Sequence, residues 1–183
     1  MNQYEIDLKN YASKIESLRN SEFAHLSDQI FLDHAANGVY MSSLVKDYFE
    51  KVISPTDAIT PYITQSWLNY TKPGEYHHTH EHPNSIISGV LYIDADKQND
   101  KIIFHKANRY QQIKFPQTEY NAFNSESWFF EVGTGDLKLF PSSLTHNVEQ
   151  KKGDNIRCSL AFNVFAKGYI GAEEELTALH LRM

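Results

Sequence analysis

Four of the nine histidines of this chain lie within six residues, between His77 and His82. Imidazole is the commonest side-chain ligand for transition metals, and a packed core has little use for neighbouring polar rings. Residues two apart share a face of an extended segment, so His78, His80 and His82 are predicted to point one way and His77 the other. We therefore interpret the cluster as part of a metal site.

A mononuclear iron site takes three protein ligands on one side and leaves the remaining positions open, so a third ligand is needed from elsewhere. The candidate is His146, which follows a predicted strand and a short bend. We predict that His80, His82 and His146 bind the metal. His77 and His78 are left outside the ligand set.

A strand with two different faces follows His146. Its apolar face consists of Ile156, Cys158, Leu160, Phe162 and Val164. The alternate positions, Arg157, Ser159, Ala161 and Asn163, form a polar face that we expect to look into a cavity, while the apolar face packs under helices. A guanidinium beside a hydroxyl is suited to binding a carboxylate.

Composition places these residues in a single folded domain. The chain has 183 residues, 41% hydrophobic and 13% aromatic, with a net charge of −6. This charge disfavours binding to nucleic acid or to an anionic membrane. Cys158 is the single cysteine, no apolar run is long enough to cross a bilayer, and the first residues do not resemble a signal peptide, so we expect a cytoplasmic protein.

Helical patterns come first and strand patterns after. Apolar residues at helical spacing predict one helix over Tyr4–Leu18 and another from about Ser42 to Ile53. Short β-branched and aromatic segments follow from Pro61 onward; they are 62–70, 86–93, 101–105, 127–132, 136–140 and 156–165. We predict a mainly β fold, a sandwich or barrel, with residues 1–60 as a helical region packed on a core of residues 61–183, in one structural domain.

Several motifs together resemble a known family. In chain order they are YTKPG at 70–74, HEHPNSIISGVLY at 80–92, GDLKLFPSSLTH at 135–146 and RCSLAFN at 157–163. In order and spacing they resemble 2-oxoglutarate- and iron(II)-dependent oxygenases of bacteria and marine phages. The resemblance covers roughly Trp67 to Gly168.

This resemblance implies a double-stranded β-helix, the jelly-roll and cupin-like barrel, with iron at its open end. It implies His80 and His146 as iron ligands, and Arg157 with Ser159 as the group that binds the far carboxylate of 2-oxoglutarate. Tyr92 is a further candidate for hydrogen bonding to the cosubstrate. The implied reaction consumes 2-oxoglutarate and dioxygen, releases succinate and carbon dioxide, and most often hydroxylates a primary substrate, whose identity the sequence leaves open.

The second ligand departs from the superfamily pattern, because His82 stands where a carboxylate is usual. Glu81 is a poor replacement, since it is expected on the opposite side of the extended segment. Two alternatives stay open: a three-histidine cupin-like dioxygenase that does not use 2-oxoglutarate, and a non-enzymatic jelly-roll binding protein with a structural metal. A homodimer is also left open, and the stretch Tyr110–Asn124 is predicted to be a lid.

Overall fold

The computed structural model describes residues 35–55, 58–106 and 115–181. The predicted helix over Tyr4–Leu18 and the first part of the predicted lid lie outside these residues. In chain order the elements are α1 Ala35–Tyr48, a π-helical turn Phe49–Ile53, β1 Ile59–Thr71, β2 His77–His80, β3 Ile87–Asp94, β4 Lys101–His105, β5 Ser127–Glu131, β6 Leu137–Pro141, β7 His146–Val148, β8 Arg157–Ile170 and β9 Leu179–Leu181. No helix within the described residues is long and apolar enough to span a membrane.

Two antiparallel sheets form the barrel. One has the strand order β1-β8-β3-β6, with β9 also paired to β8, and the other has the order β2-β7-β4-β5. The prediction of a mainly β, jelly-roll fold is therefore confirmed. The predicted long strands are present, whereas β2, β7 and β9 were not predicted as strands from apolar patterning, because segments of three or four residues carry too little periodicity.

The outer face of the larger sheet packs against α1. The core between them comprises Met41, Val45, Phe49, Ile87, Leu91, Ile93, Cys158, Leu160, Phe162, Val164 and Ala166. The apolar face predicted for β8 is thus the face that the helix covers. Burial of Cys158 in this layer agrees with its interpretation as a core residue.

The inner face of the same sheet points into the barrel. Tyr92 and Phe140 of this sheet form a second buried cluster with Ile102 of β4 and with Val132, which follows β5. Because side chains alternate along a strand, β3 sends Leu91 to the helix and Tyr92 to the interior. The two faces of β3 and β8 therefore separate a helix-packing layer from a lining for the site.

Candidate active site

Three histidine rings converge at one end of the barrel. The ligand atoms of His80, His82 and His146 all lie within 4.8 Å of one another. His80 and His146 are direct partners in the β2–β7 pairing. His82 follows β2, and its backbone N–H donates to the carbonyl of Ser142 at 3.0 Å, which holds the segment against the turn before β7.

Hydrogen bonds at Nδ1 prepare each ring to bind a metal through Nε2. The Nδ1 atoms of His80 and His146 lie 2.8 Å and 2.9 Å from the carbonyl oxygens of His78 and Leu144. A carbonyl can only accept, so both rings carry their proton on Nδ1 and a lone pair on Nε2. The Nε2 atoms of His80 and His82 approach to 3.1 Å, a distance at which two lone pairs repel unless a cation or proton lies between them.

The same argument extends to His82 through buried polar side chains. Its Nδ1 lies 2.7 Å from Oδ1 of Asn163 and 2.8 Å from Oγ of Ser88. Ser88 Oγ contacts Ser142 Oγ at 2.8 Å, Ser142 donates to Ser85, and Ser85 donates to backbone carbonyls. Each hydroxyl can thus donate toward the carbonyls, which leaves Nδ1–H of His82 as the donor at the head of the chain.

The position of His77 contradicts the predicted alternation, because His77 lines the same cavity as His80 and His82. The register of β2 with β7 shifts between His77 and His80, as in a β-bulge. One extra residue reverses the parity of the strand before it, so the prediction that His77 faces away is wrong. His78, which the sequence left as either a neighbour of the ligands or a solvent-facing ring, is exposed and is not among the residues that line this cavity.

A cavity of about 470 Å³ extends from the histidines into the barrel. All six residues singled out from the sequence line it; they are His80, His82, Tyr92, His146, Arg157 and Ser159. Arg157 and Ser159 are both buried, as is Tyr92. The cavity thus has histidine nitrogens that could hold a metal ion at one place and a buried guanidinium at another.

Arg157 is held from behind by buried polar groups that the sequence did not indicate. Its Nη2 donates to Thr71 at 3.0 Å, and its Nη1 lies 3.7 Å from Oδ1 of Asp100. Asp100 is also 3.4 Å from Nζ of Lys151, and both are almost completely buried. Nε of Arg157 is buried without a hydrogen-bond partner among the described residues, and the Arg157 side chain lines the cavity, where its guanidinium offers positive charge to an anion.

The comparison with protein families identifies the class of this chain. Residues 65–163, more than half of the sequence, match the family model described as "Putative 2OG-Fe(II) oxygenase". The chain belongs to this family. The oxygenase is therefore an enzyme of the class that uses Fe(II) and 2-oxoglutarate, and the non-enzymatic alternative is set aside. No curated protein matches its sequence.

Two solved structures show the same fold at low sequence identity. The non-heme monooxygenase ThoJ, solved as a nickel complex, is 10% identical, with a TM-score of 0.59 over 99% of this chain and 74% of ThoJ. HygX from Streptomyces hygroscopicus, solved with nickel and 2-oxoglutarate, is 11% identical, with a TM-score of 0.56 over 90% of this chain and 78% of HygX. A 2OG-Fe(II) oxygenase family protein from Burkholderia pseudomallei is 15% identical, with a TM-score of 0.49, and the oxygenase spans 50% of its length.

Burial favours the neutral forms of His146 and His82, which are the forms that a metal requires. The pKa of His146 is lowered to about 4, chiefly because burial desolvates the ring. The hydrogen bond to Leu144 raises this pKa in part, and the neighbouring histidines contribute to lowering it. Desolvation also lowers the pKa of His82, which the hydrogen bond to Asn163 opposes. Metal binding at neutral pH then displaces little proton from these rings.

Sequence reasoning missed several residues of the site. Asn163 was placed on the polar face of β8 but not assigned to His82, although its spacing from Arg157 and Ser159 puts it on their face. Asp100 and Lys151 gave no signal, since an acidic residue between strands and a lysine after β7 are usually solvated. Residues 115–124 of the predicted lid line neither this cavity nor a second cavity that lies against the same histidines.

Proposed function

We propose that His80, His82 and His146 hold Fe(II), that Arg157 and Ser159 bind the far carboxylate of 2-oxoglutarate, and that the oxygenase hydroxylates a primary substrate. One observation carries the proposal. The three histidines and the buried Arg157 side chain line a single cavity. A dicarboxylate such as 2-oxoglutarate suits this arrangement, because one end can bind the metal held by the histidines and the other end can bind the guanidinium of Arg157.

The residues of this chain fit both groups. Three imidazoles with their protons on Nδ1 are ready donors for a divalent metal. Fe(II) held by these residues would supply the oxygenase chemistry, in which 2-oxoglutarate and dioxygen give succinate and carbon dioxide and one oxygen atom is inserted into a C–H bond of the substrate. The fold relative HygX was solved with nickel and 2-oxoglutarate, which supports the choice of cosubstrate.

Charge around Arg157 favours an anion. Asp100 offsets one of the two cations that contact it, Lys151 and Arg157, so the group of three carries about one net positive charge. Tyr92 lies beside this group, and burial raises its pKa, which keeps its hydroxyl protonated and able to donate to a carboxylate. The chain thus orients the cosubstrate and supplies the charge that its far end requires.

The proposal is tested by anaerobic titration of metal-free protein with Fe(II) and then with 2-oxoglutarate. We expect Fe(II) to bind and a visible charge-transfer absorption to develop when 2-oxoglutarate is added. H80A and H146A should lose metal binding, R157L should keep the metal and lose 2-oxoglutarate, and H180Q, a histidine change outside the site, should behave as wild type. Bound iron with no absorption at saturating 2-oxoglutarate would instead favour the three-histidine chemistry without cosubstrate.

Hydroxylation is tested separately, by oxygen-dependent succinate formation in the presence of candidate substrates and by mass spectrometry of the products. A product heavier by one oxygen atom is the expected result. Succinate formed with a desaturated or halogenated product would contradict the hydroxylase assignment while leaving the cosubstrate assignment intact.

A further inference from the structure

A second cavity, also of about 470 Å³, lies against the same histidines. Trp67, His77, His80 and His82 line both cavities. The remaining lining of the second cavity is polar apart from one proline; it consists of Thr64, Gln65, Glu81, Pro83, Asn84 and Asn163. The two proposed ligands His80 and His82 are therefore reached from two sides, and only the first side contains Arg157.

We propose that this second cavity binds the substrate to be oxidised and that the substrate carries a protonated amine. The inference rests on the proposed function, in which 2-oxoglutarate occupies the first cavity. The primary substrate must approach the same metal, and the second cavity is the space that remains for it. The residues that line this cavity then determine the chemical class of the substrate.

The charge of the lining selects a cation. Among the described residues that line the second cavity, Glu81 is the only side chain with a formal charge at neutral pH, and none is lysine or arginine. Glu81 is exposed, and the hydroxyl of Thr145 donates to its Oε1. This contact orients the carboxylate, which has a second oxygen with which to accept from an ammonium group.

The remaining lining suits an amine with further polar groups. Trp67 is half-buried, with its ring centroid 5.6 Å from that of His82, and an indole face attracts an ammonium. A β-bulge in β1 between Ile63 and Gln65 breaks the alternation there. Consecutive residues Thr64 and Gln65 therefore both face the cavity and supply a hydroxyl and an amide.

The metal centre does not oppose a cation. Three neutral imidazoles contribute no charge, and the two carboxylates of 2-oxoglutarate together balance the charge of Fe(II). The net positive charge that remains belongs to the group around Arg157, and Arg157 lines the first cavity and not the second. The chain itself carries a net charge of −6, which attracts cations at long range.

The test uses three probes of equal chain length and different charge: n-hexylamine, 1-hexanol and hexanoate. Binding to protein loaded with Zn(II) and 2-oxoglutarate is measured by saturation-transfer NMR, which needs no turnover. We expect hexylamine to bind about tenfold more tightly than hexanol and hexanoate more weakly still. E81Q keeps an oxygen for Thr145 but loses the charge, and it should remove the preference for the amine, whereas E119Q, outside both cavities, should retain it.

Equal binding of the three probes, no binding of hexylamine, or an unchanged preference in E81Q would each overturn the assignment of substrate class. Failure of the proposed function is recognised separately, because the Zn(II)-loaded wild type would then not retain 2-oxoglutarate. A screen of primary amines against their N-acetyl counterparts should then find succinate formation stimulated by the free amine more than by the acetylated compound.

Discussion

At the scale of single residues, His82 is the position at which this site departs from the usual superfamily pattern. A histidine there is neutral, and it needs an acceptor for Nδ1–H if its Nε2 is to face a metal. Asn163 and Ser88 are those acceptors. The histidine at the proposed second ligand position is thus accompanied by a polar pocket that a carboxylate ligand would not require.

A change at Asn163 tests this role. N163L removes the oxygen that accepts from His82 and should weaken Fe(II) binding by about 10- to 100-fold. N163D restores an oxygen acceptor and should recover most of the affinity. Metal affinity is measured by anaerobic titration, with thermal unfolding as a control for folding; equal affinities for N163L and N163D would show that Asn163 does not act through His82.

The depressed pKa of His146 predicts acid sensitivity of the metal-free protein. The pKa is about 4 when folded, against an ordinary value of 6.5, so the unfolded chain binds more protons between these pH values. The contribution of this ring to stability is fully present above pH 6.5 and is lost as the pH drops toward 4. This loss lowers the free energy of unfolding by up to about 3 kcal/mol. Urea unfolding in EDTA from pH 7.5 to 4.5 measures the slope, which H146L should reduce; an unchanged slope in H146L would contradict the assignment to this ring.

At the scale of elements, β8 connects the helix layer to the site. Residues of one parity pack under α1, and residues of the other parity line the two cavities. The neighbouring strand β3 pairs with β8, and Gly89 of β3 lies opposite Phe162 of β8 in the register. The Phe162 ring packs over Gly89 at a distance that leaves no room for a side chain there. The core therefore depends on a strand position that has no side chain.

G89A tests this close approach. A Cβ at Gly89 would lie 2.1 Å from Cζ of Phe162, whose ring is buried. Overpacking of this kind should lower the free energy of unfolding by about 1–3 kcal/mol. G133A is the matched control, because its nearest neighbour is Cβ of Lys97 at 3.3 Å, and it should cost less; equal losses in urea unfolding would refute the packing argument.

The buried pair of Asp100 and Lys151 is predicted to position Arg157. D100N leaves Lys151 buried without its partner and should destabilise the fold by about 3 kcal/mol. The double variant D100N/K151M removes both charges and should recover much of that stability, yet still raise the KM for 2-oxoglutarate about tenfold with little change in kcat. K152M serves as a control; a normal KM in the stable double variant would mean that the pair is structural only.

At the scale of the whole molecule, the three proposed metal ligands belong to separate parts of the barrel. His80 lies in β2, His82 in the segment after it, and His146 in β7, and the residues that support them lie in β3 and β8. A ligand that binds only the assembled site stabilises the folded state by mass action. Metal binding should therefore raise the unfolding temperature of both sheets together.

Thermal unfolding tests that coupling. Ni(II) at about 100 times its Kd should contribute about 2.7 kcal/mol, which corresponds to a rise in Tm of about 5–10 °C for a chain of this size. The rise should disappear in H146A and persist in H180Q. A similar rise in H146A would place the bound metal elsewhere.

Much of this protein is determined by local sequence. Alternation over 156–164 predicted the two faces of β8, and the motifs that contain His80, His146 and Arg157 indicated the family and its cofactors. These signals are local because strand periodicity and ligand spacing are properties of a few consecutive residues. The family, the fold and the class of enzyme are confirmed, whereas the role of each site residue, the domain division, the oligomeric state and the cytoplasmic location stay predictions.

The tertiary structure decided what depends on pairing between distant segments. The bulge that turns His77 toward the site arises from the register of β2 with β7. The contacts of His82 with Asn163 and of Arg157 with Asp100 join residues far apart in the chain. No local pattern encodes such contacts, because they result from how the two sheets pack around one cavity. The histidine cluster therefore indicates a metal site, whereas the folded barrel determines which rings lie close together and which residues support them.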